Sequence, residues 1–311
     1  MITRSKSQPH CLLTTTDLTE PQSYQEASQS SAWTAAMKDE YDALIRQGTW
    51  TLVSLPPTKK AIGCKWVFRL KKNSDGTIAR HKARLVAKGF LQTEGIDYFE
   101  TFSPVAKQPT IRILLCLALH FQWSIKQLDI SNAFLHGILE EEVYMHQPIG
   151  FVNTTHPSMV CKLNKALYGL KHAPRAWFST FSSFLLTQGF KASHCDSSLF
   201  VRQTSHSITI LLIYVDDILL TGSDSSYLSS LITHMHSTFS MKELGLLNYF
   251  LGIAVTSSSS GYFLSQKKYA TEILVKAGMT NCKSSPSPML LKSSTDDQAA
   301  ALPFSQPSLY R

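Results

Sequence analysis

Two adjacent carboxylates interrupt an apolar run. The run is Ser-Ile-Thr-Ile-Leu-Leu-Ile-Tyr-Val-Asp-Asp-Ile-Leu-Leu-Thr-Gly, residues 207–222, and the acids are Asp216 and Asp217. Each flanking half is hydrophobic and β-branched and reads as a buried strand. The sequence therefore predicts a hairpin with Asp216 and Asp217 as its turn. Two-residue hairpin turns favour Asn-Gly or Asp-Gly, because both positions need positive φ. Two neighbouring like charges also repel. A polar turn that happens to be acidic is the plain alternative, but a local rule broken inside a core element marks a place where function is expected.

Paired carboxylates at a strand turn suit a hard divalent cation. Mg²⁺ takes oxygen ligands and is held by one or two carboxylates together with substrate phosphates. Two such ions about 4 Å apart clamp the attacking and leaving oxygens of a phosphoryl transfer. That chemistry needs a further carboxylate from a second strand. The segment from Trp123 to Ile130 alternates like a strand and ends in Asp129. Ser131-Asn132 behind it permits a turn. The cluster Glu140–Glu142 reads as surface charge.

A basic stretch lies upstream. Residues 59–90 carry Lys59, Lys60, Lys65, Arg69, Lys71, Lys72, Arg80, Lys82, Arg84 and Lys88 against the single acid Asp75. Residues 65–71 and 79–88 both alternate with period two, and Asn73–Gly76 is a turn signal. A β-hairpin with one apolar and one cationic face follows. So lopsided a face points to gripping phosphates rather than to solvation alone.

The elements that must position these groups can be traced along 311 residues, of which 43% are hydrophobic. Residues 1–22 read as a flexible lead-in. A helix is predicted from Tyr24 to Gly48, with Ala32, Trp33, Ala36, Met37, Tyr41, Leu44 and Ile45 on its apolar face. A strand follows at 50–55, and a buried helix runs from Thr110 to His120. Gly169 and Pro174 bracket a loop, after which a helix continues through Phe181 and Leu185. Residues 196–201 return as a strand to the acidic hairpin. Helices are predicted at Tyr227–Phe239 and Tyr269–Ala277, with a hairpin between them turning at 257–260. The last thirty or so residues are Ser/Pro-rich and poorly patterned.

The net charge of +8 points to an acidic partner such as nucleic acid. The six cysteines make no C-x-x-C pair and no zinc spacing, which fits a reducing intracellular setting. No signal peptide opens the chain, and no apolar run approaches membrane-span length.

Six blocks now stand in order: Lys-Ala-Arg-Leu-Val-Ala-Lys-Gly (82–89), Glu-Thr-Phe-Ser-Pro-Val (100–105), Gln-Leu-Asp-Ile-Ser-Asn-Ala-Phe-Leu-His-Gly (127–137), Leu-Tyr-Gly-Leu-Lys-His-Ala-Pro-Arg-Ala-Trp (167–177), Tyr-Val-Asp-Asp (214–217) and Tyr-Phe-Leu-Gly-Ile (249–253). Together they resemble the reverse transcriptases of copia-type LTR retrotransposons, over roughly residues 30–290. A lone Tyr-Val-Asp-Asp would be a weak signal; six ordered blocks are a specific one.

The resemblance implies an α+β, right-hand polymerase fold, with fingers and palm, an incomplete thumb and an antiparallel palm sheet. Fingers would span 23–115, the palm 116–255 with a helical insertion about 150–200, and a partial thumb and tail 256–311. The reverse transcriptase domain as a whole would run from about 49 to 290. The implied activity is RNA-directed DNA polymerisation: a primer 3′-hydroxyl attacks the α-phosphate of a dNTP and pyrophosphate leaves. Asp129, Asp216 and Asp217 would be the catalytic carboxylates holding two Mg²⁺ ions, or Mn²⁺. Ile130, Asn132, Ala133, Phe134, Tyr168 and Gly169 would line the nucleotide, with Phe134 excluding a 2′-hydroxyl. Lys71, Lys72, Lys82 and Arg84 are the candidate triphosphate contacts. Phe250, Leu251 and Gly252 match the primer grip, and Lys242 the general acid.

The implied partners are an RNA or DNA template with its primer and dNTPs, with no membrane, in the cytoplasm or, for an intact element, a virus-like particle. His172 stands where the family usually has Gln. Acids after Asp217 are too few and scattered for an RNase H cluster, and no protease or integrase motif is present, so the chain reads as a polyprotein fragment. A truncated remnant that only binds nucleic acid is the alternative function. An unrelated metal-dependent nuclease would share the carboxylates but would not need the blocks at 167–177 and 249–253.

Overall fold

The computed structural model describes residues 19–73, 77–258 and 261–284. The predicted lead-in before residue 19, the Asn73–Gly76 turn beyond Asn73, residues 259–260 of the second turn and the tail from 285 lie outside the described residues. The fold is mixed α+β.

The predicted first helix is two helices. α1 (Tyr24–Ala27) ends at Ser28, and α2 (Ser31–Arg46) starts afresh where the Ser30 hydroxyl accepts from the Trp33 N–H. Ser at this position satisfies one of the orphan donors of a helix start, which makes the break favourable. α2 buries Trp33, Met37 and Leu44, whereas Ile45, placed on the apolar face from its spacing, is 46% exposed. The end of the supposed lead-in is fixed too: Glu20 binds Arg69 at 2.6 Å and the Leu70 N–H at 2.9 Å.

β1 (Trp50–Val53) and β2 (Ala61–Ile62) lead into the hairpin β3 (Cys64–Lys72) and β4 (Ile78–Ala87). Its register pairs Trp66 with Leu85 and Phe68 with Ala83 on one face, and Arg69 with Lys82 and Lys71 with Arg80 on the other. The apolar and cationic faces are those the alternation predicts. The buried face packs on α2, where the Trp33 ring meets Phe68 edge-on at 5.3 Å. α3 (Gln108–His120) follows, then β5 (Lys126–Ile130), a short 3-10 turn at Ala133–His136, β6 (Tyr144–Met145) and β7 (Val160–Leu163).

The sheet β1-β7-β6-β2 has antiparallel pairs except for the parallel contact of β2 with β6. Next come α4 (Ala173–Thr187), β8 (Lys191–Ala192), β9 (Leu199–Gln203), β10 (Ile208–Tyr214), β11 (Asp217–Gly222), α5 (Ser225–Phe239) and β12 (Met241–Leu246). Pro174 lies in the first turn of α4 rather than in a loop; a first-turn proline removes only an N–H that the helix leaves unpaired. The chain continues through β13 (Tyr249–Phe250), β14 (Ile253–Ser258), β15 (Gly261–Ser265) and α6 (Lys267–Lys276).

The central element is an antiparallel six-stranded sheet in the order β12-β5-β11-β10-β9-β8. Alternate residues of its middle strands divide between two cores. Leu128, Ile130, Leu211, Ile213, Ile218 and Leu220 pack against α4 and α5 through Trp177, Phe181, Leu231 and Phe239. Ile210, Leu212 and Leu219 pack on the opposite side against Ile111, Leu114 and Phe250. The strands are apolar on both faces because both faces are covered, which explains the unbroken hydrophobic run around the two acids.

Candidate active site

The turn between β10 and β11 is Val215-Asp216, because Tyr214 pairs with Asp217. The expected Asp216-Asp217 turn is thus shifted by one residue, and Asp217 is the first residue of a strand. Val215 adopts φ of +57°, a conformation that is strained for a β-branched residue. Turn chemistry alone would never choose valine, which is why the sequence reading missed it. Two hydrogen bonds hold the turn: the Trp177 indole N–H donates to the Val215 carbonyl at 2.6 Å, and the Ile130 N–H to the Asp216 carbonyl at 2.9 Å.

Asp129 of β5 lies opposite Asp217 of β11 on one side and Lys242 of β12 on the other. Direct cross-strand partners project from the same face of a sheet. Lys242, Asp129 and Asp217 therefore form one transverse row, with Asp216 in the turn at its end. Burial, followed by the Asp216 and Asp129 charges, pushes the Asp217 carboxyl up to about 6. Burial and then Asp216 raise Asp129 as well, while Lys242 and Lys82 pull it down. As the side chains stand, no three acidic, imidazole or thiol groups among the described residues form a ready-made metal cluster. The donor set is nonetheless all carboxylate oxygen, and the mutual repulsion of the acids is only partly offset by Lys242 and Lys82. That is what a hard divalent cation relieves, and such a cation takes only one or two protein carboxylates beside substrate oxygens.

A cavity of about 460 Å³ opens beside the row. Asp129, Asp216 and Lys242 line its floor, Ile130, Ser131 and Asn132 one wall, and Arg80, Lys82, Arg84 and Tyr168 another; Glu40 of α2 also reaches it. Asn132 has φ of +56°, so the chain turns at Ser131-Asn132, immediately past Asp129 and Ile130, the last residues of β5. The following Ala133 is buried. Phe134 is half-buried and meets the Tyr168 ring edge-on at 5.1 Å, behind the cavity rather than on its lining.

The Arg84 guanidinium lies 4.6 Å from the Tyr168 ring centre. Tyr168 is docked by its carbonyl, which accepts from the Ala87 N–H at 2.7 Å. Gly169 is required beside it: its φ is +89°, and a Cβ there would stand 2.2 Å from the Ala87 carbonyl oxygen.

The cationic candidates separate. Lys82 and Arg84 line the cavity, whereas Lys71 and Lys72 are exposed farther along the hairpin and do not. Burial, followed by Arg84 and Arg80, lowers the Lys82 pKa. Phe250 is buried against α3, and Leu251-Gly252, both at positive φ, form the tight turn from β13 to β14. The Gln127 side chain joins this hairpin to β5 through a 2.9 Å bond to the Tyr249 carbonyl. Sequence reasoning did not find Glu40 or the Trp177 bond, and it named Arg80 only as one of the cations of the hairpin. For Glu40 a signal existed: it falls on the Trp33, Met37, Leu44 stripe of its helix.

This geometry stands in a chain that belongs to the reverse transcriptase (RNA-dependent DNA polymerase) family, which it matches over residues 47–291. It is 48% identical over 271 residues to the Retrovirus-related Pol polyprotein from transposon RE1 of Arabidopsis thaliana, covering 87% of this chain and 18% of that protein. It is 42% identical over 276 residues to the corresponding polyprotein from transposon TNT 1-94 of Nicotiana tabacum, covering 87% of this chain and 21% of the relative. The Transposon Ty1-DR1 Gag-Pol polyprotein of Saccharomyces cerevisiae is 29% identical over 269 residues, 81% of this chain and 14% of that protein. The chain thus spans about a fifth of the length of the first two polyproteins. The resemblance to copia-type reverse transcriptases holds. Among the described residues no helix is long and apolar enough to cross a membrane.

Proposed function

We propose that this chain is an RNA-directed DNA polymerase that extends a primer on an RNA or DNA template. The observation that carries the reading is the row of Lys242, Asp129 and Asp217, with Asp216 at its end, of which Lys242, Asp129 and Asp216 line a cavity walled by Lys82 and Arg84. An anionic substrate that brings its own phosphates fits between a basic wall and an acidic floor. The fold reading that goes with it is a right hand. The β3–β4 hairpin and α2 belong to the fingers (23–115), the six-stranded sheet is the palm (116–255), and residues from 256 begin a thumb.

Asp129, Asp216 and Asp217 would hold the divalent ions, Mg²⁺ or Mn²⁺. When bound, these ions supply the positive charge that the reacting phosphate needs. The chain's own residues do the rest. Lys82 and Arg84 neutralise the triphosphate and orient it. The Tyr168-Gly169 loop, pinned to β4, closes the wall beside the sugar, and Phe134 backs it. The primer 3′-hydroxyl loses its proton to water, its oxygen forms the new O–P bond with the α-phosphate, and the α–β bridge breaks. Lys242, beside Asp129, gives a proton to the departing pyrophosphate. The Phe250-Leu251-Gly252 turn, tied to β5 through Gln127, supports the primer end. A cytoplasmic or particle-enclosed setting accords with such an activity.

The test is primer extension by the purified chain on an RNA template with Mg²⁺, abolished by chelator. Retained template-primer binding without any extension would instead favour a nucleic-acid-binding remnant.

A further inference from the structure

Two acids of α2, Asp39 and Glu40, line the cavity and have no part in the reading above. Glu40 points inward from α2, on the same stripe as Trp33, Met37 and Leu44. The Leu85 N–H of β4 faces its carboxylate and helps to hold its pKa down. Its Oε1 is buried and has no hydrogen-bond partner among the described residues, and neither has the buried Nε of Arg84. An unpaired buried acceptor and an unpaired buried donor in one cavity are each costly and call for an explanation.

The charges provide one. Arg69 faces Lys82 and Lys71 faces Arg80 directly across the hairpin, and like charges so placed destabilise it. Glu20 compensates Arg69 on one side. On the cavity side, burial pushes the Glu40 pKa up, and the charges of Lys82 and then Arg84 pull it back toward the ionised form. With Oε1 making no hydrogen bond, Glu40 does not tie these cations down; it balances them through its field. A polyphosphate entering the cavity meets cations that already have an anion.

We propose that Glu40 is the internal counter-anion of Lys82 and Arg84, and that its charge sets how tightly this cavity holds a polyphosphate. It is a positioning residue: it acts through the two cations and touches no reacting atom. The built-in competition keeps the site from retaining the pyrophosphate that each addition would release. The inference rests on the reading that Lys82 and Arg84 receive the triphosphate.

The experiment is titration calorimetry of the whole chain with inorganic tripolyphosphate in chelator, which needs neither metal nor turnover. Glu40→Gln keeps the acceptor for Leu85 and removes only the charge. It should bind tripolyphosphate about three- to tenfold more tightly than wild type, a gain that shrinks with added salt. Adding Arg84→Gln to E40Q should remove the gain. In primer extension, E40Q should lower KM for dTTP and make the reaction more sensitive to inhibition by added pyrophosphate.

Glu40→Asp keeps the charge and should show no tightening. It carries the test should E40Q fold poorly by circular dichroism. Unchanged or weaker binding by E40Q, or tighter binding by E40D, overturns the proposal. If R84Q alone binds like wild type, the triphosphate reading of the cavity fails with it. If R84Q weakens binding and E40Q changes nothing, the role of Glu40 alone fails.

Discussion

The indole N–H of Trp177 donates to the backbone carbonyl of Val215 across a gap of 2.6 Å. A helix thereby holds the turn that presents Asp216, and it holds that turn in a conformation valine resists. Trp177→Phe leaves the Val215 carbonyl without this donor and should cost about 1–3 kcal/mol of stability. It should lower kcat more than it raises KM, because the acids lose their placement while the basic wall is untouched. Val215→Asn, which tolerates positive φ, should restore part of the lost stability. Denaturant melts of the two single variants and the double variant check this.

Asp129→Asn and Asp216→Asn should each abolish primer extension and leave the circular dichroism spectrum unchanged. Both side chains line the cavity and stand among like charges. Normal extension by either variant would remove the carboxylates from the reaction.

The acidic row makes the metal-free protein pH-sensitive. Asp217 has its folded pKa raised to about 6. It therefore binds its proton more tightly folded than unfolded, and its contribution to stability falls as pH rises from about 4 through 6. In chelator, Tm should drop between pH 5 and pH 7.5. Asp217→Asn should flatten that drop and stabilise the protein at pH 7.5 by about 1–3 kcal/mol. A wild-type Tm that climbs over this range would show that burial and the neighbouring acids do not act as described.

Reversing Lys82 and Arg84 to Glu should weaken template-primer and nucleotide binding together. If both grip phosphates, the slope of log K against log salt should flatten by roughly two. An unchanged slope would mean that the two side chains serve only their protein neighbours.

Phe134 backs the Tyr168 wall. Phe134→Val should let the Tyr168 ring settle back into the space Phe134 fills and so admit ribonucleotides, with a smaller loss of deoxyribonucleotide use. The ratio of kcat/KM for dTTP over UTP on a poly(A) template is the measure. A constant ratio would leave Phe134 as packing for Tyr168 alone.

The parts of this site that were legible in the sequence are those written locally. Asp129 and the Asp216-Asp217 pair stood out as charges at the ends of apolar strands, and the hairpin from Cys64 to Ala87 announced itself by alternation. What pairing brings in from afar was not legible. β12 reads Met-Lys-Glu-Leu-Gly-Leu, too polar to declare itself a strand of the central sheet, yet its register sets Lys242 against Asp129. Val215 in the turn contradicts every propensity, because the Trp177 bond and the two flanking strands outweigh local preference. Glu40 lies on a helix some ninety residues before Asp129, and only the packing of α2 on β4 brings it to the cavity.

That packing also sets the span that matches the family against the span that folds together. The family match begins at residue 47, just past the end of α2. Yet Trp33, Met37 and Leu44 share a core with Trp66, Phe68 and Leu85, and a lone two-stranded hairpin is marginal in water. A fragment trimmed to the matched span would expose the apolar face of β3 and β4 and invite aggregation. The span that matches the family is shorter than the unit that packs together, and the difference includes α2.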